Sequence, residues 1–157
     1  MGKEIERKFL VKKGMWRPGG KGNLYRQGYL STVKERVVRV RVTGDKGFLT
    51  IKGVTVGFSR LEFEYEIPLR DAHQMLDTLC ERPLIEKTRY WVEHEGLIWE
   101  IDVFLEDNEG LLLAEVELES ETQQFNLPDW VGEEVSEDPR YFNANLVKNP
   151  FRLWHTE

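Results

Sequence analysis

Residues 3–11 read KEIERKFLV, a stretch in which charged and apolar side chains alternate. The same alternation occurs in RVVRVRVT (36–43), RLEFEYEI (60–67) and IWEIDVFL (98–105). A two-residue period over that length is typical of a β-strand whose two faces meet different surroundings. These four stretches therefore predict a sheet, and they decide the fold class.

Shorter segments of the same character complete the sheet. We expect these further strands at 24–32, 47–54, 85–94 and 112–120, which makes about eight strands in all. Glycine-containing turns at 44–47, 95–96 and 108–110 join neighbouring strands as hairpins. The predicted sheet is therefore antiparallel.

Few segments have a helical pattern. Residues 71–81 predict a helix with Asp71 as its N-cap and with Met75, Leu76 and Leu79 on one face. A second, short helix is expected near 142–148. The sequence as a whole predicts a mainly β (α+β) fold.

Length and composition exclude several classes of protein. The 157 residues predict a single domain over 1–157. A net charge of −6 argues against a nucleic-acid partner. No apolar run reaches the roughly 18 residues that span a bilayer, so no membrane partner is expected. The single cysteine, Cys80, fits a reducing cytoplasm, and no cysteine and histidine spacing indicates zinc.

Sorting the strands by face separates the charges into blocks of one sign. Acidic blocks occur at Glu62, Glu64 and Glu66, at Glu100 and Asp102, and at Glu115, Glu117 and Glu119. Basic blocks occur at Arg39 and Arg41, at Lys52, and at Lys87 and Arg89. Like charges close together on a sheet are unfavourable, so solvated faces usually mix the two signs.

Two arrangements are compatible with this pattern. In an ordinary sheet the apolar face packs inward and the charged face meets water. In a barrel with the opposite orientation, the charged faces point inward and the apolar faces lie under helices, and eight strands enclose room for one small ligand. Clustered Lys and Arg suit phosphate oxygens, and clustered carboxylates suit a hard divalent cation. The joint pattern favours this polyphosphate-binding barrel.

The motif EIERK (4–8) resembles the Glu-x-Glu-x-Lys signature of the CYTH domain, or triphosphate tunnel metalloenzyme superfamily. It is followed in order by RVRV, LTIKG, EFEYEI, KTRY, WEIDVF and AEVELES, and EDPRYFNANL (137–146) resembles the compact bacterial members. The likeness covers nearly the whole chain. It implies an eight-stranded antiparallel β-barrel tunnel with a few flanking helices, which takes a triphosphate together with Mg²⁺ or Mn²⁺.

The resemblance also implies roles for individual residues. The implied metal ligands are Glu4, Glu6, Glu115 and Glu117, with Asp102 as a further candidate. The implied phosphate-binding residues are Lys8, Arg39, Arg41, Lys52, Lys87 and Arg89, of which Lys8 and Lys52 are also catalytic candidates. Glu62 and Glu64 would orient these cations or a water molecule. Some of these charges are expected to be structural ion pairs instead.

Tyr29, in the segment QGYL, has two interpretations. It resembles a tyrosine of the compact bacterial members that is a candidate proton acceptor. The alternative is a tyrosine that packs in the barrel wall with its hydroxyl hydrogen-bonded. We retain Tyr29 as a catalytic candidate.

Several activities are compatible with the sequence. The first is metal-dependent hydrolysis of inorganic tripolyphosphate, or of nucleoside triphosphates, with release of orthophosphate. The alternatives are class IV-type adenylyl cyclase chemistry, thiamine triphosphatase activity, or a non-catalytic polyphosphate-binding module. The chain offers little material for a pocket that recognises a base, which favours tripolyphosphate. Outward apolar faces that no helix covers could pair two copies as a homodimer.

Overall fold

The computed structural model describes residues 2–154, and strands dominate it. The strands are β1 (Lys3–Val11), β2 (Asn23–Ser31), β3 (Val37–Thr43), β4 (Lys46–Lys52), β5 (Ser59–Ile67), β6 (Ile85–His94), β7 (Leu97–Phe104), β8 (Leu112–Glu117) and β9 (Val131–Glu134). The helices are α1 (Leu69–Thr78) and α2 (Asn143–Lys148), with short 3₁₀ helices at Glu106–Asn108, Pro139–Tyr141 and Phe151–Leu153. The predicted mainly β fold is confirmed.

Eight of the strands close into an antiparallel barrel. Hydrogen-bonded neighbours follow the order β5-β4-β3-β2-β6-β7-β8-β1, and β5 returns to β1 to complete the ring. The ring closes at the start of β1, where residues 3–5 pair with residues 59–61. Farther along β1, Phe9 and Val11 pair with β9. The predicted eight-stranded barrel is therefore confirmed.

Helix α1 explains why the apolar side of β3 faces outward. Val40 and Val42 are buried against Ala72 and Leu76 of the helix. Gly47 on β4 permits this close approach, because a Cβ there would lie 2.6 Å from the Cβ of Ala72. Because these valines pack against the helix outside the barrel, the alternate residues of β3 point into the barrel.

The segment that follows β8 covers a second part of the outer surface. Phe9, Trp99 and Val116 belong to a buried cluster on the outside of the barrel, and Phe125 and Trp130 pack against it. Two of the hydrophobic clusters therefore lie between the barrel and its covering segments. A third lies on the inward strand faces and fills the end of the barrel next to α2, so the charged groups occupy the rest of the interior.

Three local features differ from the sequence-based expectations. Strand β8 ends at Glu117 instead of residue 120, and β9 is an additional short strand. Asp71 is not the N-cap of α1: the cap is Pro68, and Asp71 lies in the first turn. Proline fixes φ near the helical value and lacks an N–H, so it starts the helix directly after β5. A carboxylate in the first turn is still favourable to the helix dipole.

None of the helices within residues 2–154 is long and apolar enough to cross a membrane.

Candidate active site inside the barrel

The barrel encloses a cavity of about 690 Å³ with a charged lining. Eight basic and eight acidic side chains contribute to it. The basic residues are Lys8, Lys34, Arg39, Arg41, Lys52, Arg60, Lys87 and Arg89. The acidic residues are Glu4, Glu6, Glu62, Glu64, Glu100, Glu115, Glu117 and Glu137. The charged faces of the strands therefore point inward.

The structure brings thirteen of the fourteen predicted site residues to this cavity. They are Glu4, Glu6, Lys8, Tyr29, Arg39, Arg41, Lys52, Glu62, Glu64, Lys87, Arg89, Glu115 and Glu117. Strand alternation accounts for this, since residues two apart share a face. Their separate roles stay predictions.

Asp102 is the exception, because its carboxylate lies behind the lining. One oxygen accepts a hydrogen bond from Lys87 Nζ at 2.8 Å and one from Arg89 Nη2 at 2.9 Å, and the other accepts from Arg89 Nε at 2.7 Å. Burial alone would raise the pKa of Asp102, but Lys87 and Arg89 hold it below its usual value. Three of its acceptor positions are thus taken by Lys87 and Arg89, so the carboxylate positions these two cations, and its role as a metal ligand stays a prediction.

A second set of contacts positions the arginines of β3. Arg39 and Arg41 each lie 3.4 Å from the same Oε1 of Glu64. Thr50 also donates to that oxygen at 2.9 Å. The Nε atoms of both arginines are buried without a hydrogen-bond partner within residues 2–154. Buried donors without partners are costly, so these two groups favour an anion in the cavity.

Lys87 is held from two sides. Its ammonium donates to Asp102 and, at 3.0 Å, to the side-chain oxygen of Asn143 at the start of α2. Burial lowers the pKa of Lys87 to about 8, while Asp102 partly offsets this effect. The ammonium is therefore a readily titrated member of the basic lining.

The carboxylates of β1 and β8 face one another. Glu6 pairs with Glu117 across the two strands, and Glu115 pairs with Glu100 of β7. Burial, together with the charges of Glu115 and Glu4, raises the pKa of Glu6 well above its usual value. Burial and neighbouring glutamates likewise raise the pKa of Glu117. Like charges in this arrangement are unfavourable without a compensating cation.

The same carboxylates fit a divalent metal in chemistry, although not as a preassembled cluster. Within residues 2–154, no three carboxylate, imidazole or thiol groups converge closely enough to form a ready metal site. Hard divalent cations prefer carboxylate oxygens, however, and Glu6 and Glu117 have no basic side chain within 4 Å in the described part of the chain. A cation between these strands would offset the repulsion that raises their pKa values.

Tyr29 and Lys52 are placed differently in the lining. Tyr29 is buried, packs in a hydrophobic cluster, and accepts a hydrogen bond of 3.4 Å from Gln27 at its hydroxyl. This contact suits the wall interpretation, while its position at the cavity keeps the catalytic one open. Lys52 lies 3.5 Å from Glu4 and 3.3 Å from Glu62.

Other lining residues were not predicted as site residues. The chain near α2 contributes Phe142 and Asn143, and the ammonium of Lys8 donates to the carbonyl of Tyr141 at 3.1 Å. No strand periodicity could have placed this segment, because only the tertiary fold brings it to the barrel. Tyr25 and Gln27 share a face of β2 with Tyr29, but neither lines the cavity.

Comparison with known proteins gives a consistent result. The CYTH domain model matches residues 2–149. An inorganic triphosphatase of Acetivibrio thermocellus is 56% identical over 152 residues, with 97% of each chain covered. An inorganic triphosphatase of Nitrosomonas europaea is 42% identical over 150 residues, covering 92% of this chain and 96% of the relative.

The fold is also similar to that of a solved inorganic triphosphatase. A crystal structure of an inorganic triphosphatase superimposes with a TM-score of 0.66 at 37% identity, covering 92% of this chain and 93% of the other. The match of the domain model to nearly the whole chain, the identity to these relatives and the closed barrel with its charged interior agree. This chain belongs to the CYTH domain family.

Proposed function

We propose that this protein is a divalent-metal-dependent triphosphatase that hydrolyses inorganic tripolyphosphate in its barrel and releases orthophosphate. The observation that carries the proposal is the cavity of about 690 Å³ lined by eight basic and eight acidic side chains. The relatives that are 56% and 42% identical, both inorganic triphosphatases, support the same reaction.

The charge balance of the lining supports a metal-dependent reaction. The basic and acidic side chains are equal in number, so the lining has no excess of positive charge for a polyanion. A triphosphate with several negative charges would meet carboxylates as well as cations. A divalent cation held by those carboxylates changes the balance in favour of the substrate.

The basic residues are suited to binding and orienting phosphate groups. Arg39, Arg41 and Arg89 present guanidinium groups, which bind phosphate oxygens through paired hydrogen bonds. Lys8 and Lys87 add ammonium groups nearby. Phosphoryl transfer depends mainly on positioning and on neutralising charge, and these residues supply both.

The carboxylates are suited to the metal. Glu6, Glu115 and Glu117, with Glu4 beside them, would hold Mg²⁺ or Mn²⁺, which when bound supplies charge neutralisation and polarises the attacked phosphate. Burial alone would raise the pKa of Glu115, but the charge of Lys8, a hydrogen bond with Glu6 and the charge of Arg89 hold it below the usual value, so this carboxylate stays ionised. An ionised carboxylate at this point is ready to act as a ligand.

Tyr29 and Lys52 are the remaining catalytic candidates. Tyr29, as the phenolate, would accept a proton from the attacking water and become the neutral phenol, and Lys52, between Glu4 and Glu62, would stabilise charge on the leaving pyrophosphate. Glu62 and Glu64 would orient Lys52 and the β3 arginines. Tyr29→Phe removes the hydroxyl alone. It therefore separates the proton-transfer role from packing in the wall.

The substrate is tested by a direct comparison. The purified protein is incubated with Mg²⁺ or Mn²⁺ and, separately, with tripolyphosphate, ATP and thiamine triphosphate. Orthophosphate, pyrophosphate and cyclic AMP are then measured. We expect the highest kcat/KM for orthophosphate release from tripolyphosphate. We expect no cyclic AMP from ATP, and no activity of any kind in EDTA. Cyclic AMP with pyrophosphate, or tight binding without turnover, would contradict the proposal.

We also propose that the outer face of β5 pairs two copies of the chain. Leu61, Phe63 and Tyr65 point outward there and are 58%, 44% and 57% exposed. A row of exposed apolar side chains favours a protein partner. Light scattering after size exclusion tests this, with Phe63→Lys as the disrupting variant. A monomeric wild-type protein would contradict it.

A further inference from the structure

The ring of Tyr25 contacts two of the inward arginines. Tyr25 is buried on β2, which has β3 as its neighbour on one side and β6 on the other. The guanidinium carbon of Arg41, from β3, lies 4.8 Å from the ring centroid. That of Arg89, from β6, lies 5.0 Å from it. Both distances are within the range of cation–π attraction.

The two arginines differ in how firmly other groups hold them. Arg89 forms two hydrogen bonds with Asp102. Arg41 shares its one charged partner, Glu64, with Arg39 at 3.4 Å, and its Nε has no hydrogen-bond partner within residues 2–154. The ring of Phe48 is the other aromatic contact of Arg41, at 6.0 Å, so Tyr25 at 4.8 Å is the nearer ring. Arg41 therefore depends on the ring of Tyr25 more than Arg89 does.

Like charges also act among the inward arginines. Burial, followed by the charges of Arg39 and Arg89, lowers the pKa of Arg41 to about 10. The face of an aromatic ring carries partial negative charge, which attracts both cations and occupies the space between their strands.

We propose that Tyr25 is a positioning residue that holds Arg41 and Arg89 as a pair for binding neighbouring phosphate groups of one polyphosphate. The proposal deepens the proposed triphosphatase function and rests on it. The ring acts through the two arginines and does not itself take part in proton transfer. Tyr25 thus differs from Tyr29, for which the hydroxyl is the group in question.

Two substitutions at Tyr25 separate the ring from the hydroxyl. Tyr25→Leu keeps an apolar side chain and removes the aromatic face, so we expect KM for tripolyphosphate to rise about tenfold. We expect kcat to stay within about threefold, because the reacting groups are untouched. Tyr25→Phe keeps the ring, and its KM should stay within about twofold of the wild type.

A binding measurement distinguishes failure of this proposal from failure of the proposed function. Calorimetry with Mg²⁺ and imidotriphosphate, in which nitrogen replaces the bridging oxygens, does not require turnover. Tyr25→Leu should bind this analogue about tenfold more weakly than the wild type, whether or not the protein hydrolyses tripolyphosphate. If the wild-type protein itself does not bind the analogue, both proposals are wrong.

The chain offers a matched control and a test of the mechanism. Tyr90 is a partly buried tyrosine on the outer side of β6, where it packs against Trp16. Tyr90→Leu should affect stability without changing KM. In a double-mutant cycle, Tyr25→Leu should have a smaller effect on binding once Arg41→Ala is present, since part of its effect acts through Arg41.

The binding results for the Tyr25 variants either support or overturn the positioning role. A tenfold loss of binding in Tyr25→Leu, rescued by Tyr25→Phe and reduced in the Arg41→Ala background, supports the proposal. Equal losses in Tyr25→Leu and Tyr25→Phe, or unchanged binding in Tyr25→Leu, would overturn it. If Tyr25→Leu does not fold, Tyr25→Met provides the same comparison with a more adaptable side chain.

Discussion

Inside the barrel, the cations of β3 and β6 and the carboxylates of β1 and β8 have different surroundings. Arg39 and Arg41 share Glu64, and Lys87 and Arg89 share Asp102. Glu6 and Glu117 instead face each other across adjacent strands. We call Arg39, Arg41, Lys87 and Arg89 the basic wall, and we call Glu6 and Glu117 the carboxylate pair. The fold itself supplies partners for the basic wall, whereas the carboxylate pair lacks the positive charge it would need.

Asp102 is a carboxylate whose hydrogen-bond partners are supplied by the fold itself. It is buried, accepts three hydrogen bonds from Lys87 and Arg89, and has its pKa held below the usual value. Glu6 has the opposite properties, since burial and neighbouring carboxylates raise its pKa. The contrast is the basis for our proposal that Asp102 positions two cations and that Glu6 binds the metal.

The largest expected effect is on turnover when the carboxylate pair is broken. Glu6→Ala should reduce kcat/KM for tripolyphosphate by at least about 100-fold, because the proposed metal would lose one of its ligands. The protein should remain folded by circular dichroism. Glu66→Ala is the matched control, since Glu66 lies on the inward parity of β5 but outside the cavity lining. Near-normal turnover in Glu6→Ala would remove Glu6 from the site.

Breaking the basic wall should have the next largest effect. We expect Arg39→Ala to lower kcat/KM by about 100-fold through loss of a phosphate-binding guanidinium. Arg26→Ala provides the control, because Arg26 lies on β2 with its guanidinium paired to Asp77 on the outer surface. Steady-state assays with tripolyphosphate compare the two. If both variants were equally active, Arg39 would not belong to the site.

Removing charge from Asp102 and from Glu6 should change stability in opposite directions. Asp102→Asn leaves Lys87 and Arg89 short of a buried partner, so the free energy of unfolding should fall by about 3 kcal/mol. Glu6→Gln removes a repelled charge, so the metal-free protein should become more stable at pH 7. Thermal denaturation in EDTA measures both. A loss of stability in Glu6→Gln would contradict the contrast.

The direction of the stability change expected for Glu6→Gln follows from the coupling between proton binding and folding. A raised pKa in the folded state means that the folded protein holds the Glu6 proton more tightly than the unfolded chain does. The stability that this proton supplies is present at low pH and is lost as pH rises through the raised pKa. Glutamine mimics the protonated form, so Glu6→Gln should weaken that pH dependence.

The smallest effect concerns pH and Lys87. Burial lowers the pKa of Lys87 to about 8, so the ammonium becomes neutral as pH rises past that value. KM for tripolyphosphate should therefore increase on the alkaline side of about pH 8. Lys87→Arg keeps the charge and should move this rise to higher pH. An identical pH profile for the two proteins would show that Lys87 does not control binding.

The sequence was sufficient to predict most of the barrel and its lining. Alternation in segments such as RVVRVRVT identifies which residues share a face, and blocks of one sign indicate that the charged face is inside. Alternation cannot show which inward carboxylate is already paired. Asp102 has the same parity as the lining, and only the positions of Lys87 and Arg89 on the neighbouring strand reveal its role.

Other features depend on contacts between distant parts of the chain. Asn143 reaches Lys87, and Tyr141 reaches Lys8, because the segment before α2 returns to the barrel. Strand β9 has four residues, too few for an alternating pattern to stand out. Such contacts are fixed by tertiary packing and leave little local signal.

The central claim is that the carboxylate pair is reserved for a divalent cation, and the melting temperature of the metal-free protein tests it most directly. Unfolding is followed in EDTA and then with excess Mg²⁺ or Mn²⁺, for the wild type and for Glu6→Gln. At a free metal concentration 100-fold above Kd, binding stabilises a folded protein by about 2.7 kcal/mol. We predict a clear rise in the melting temperature of the wild type and a much smaller one in Glu6→Gln. An unchanged wild-type melting temperature, or an equal rise in both proteins, would contradict the claim.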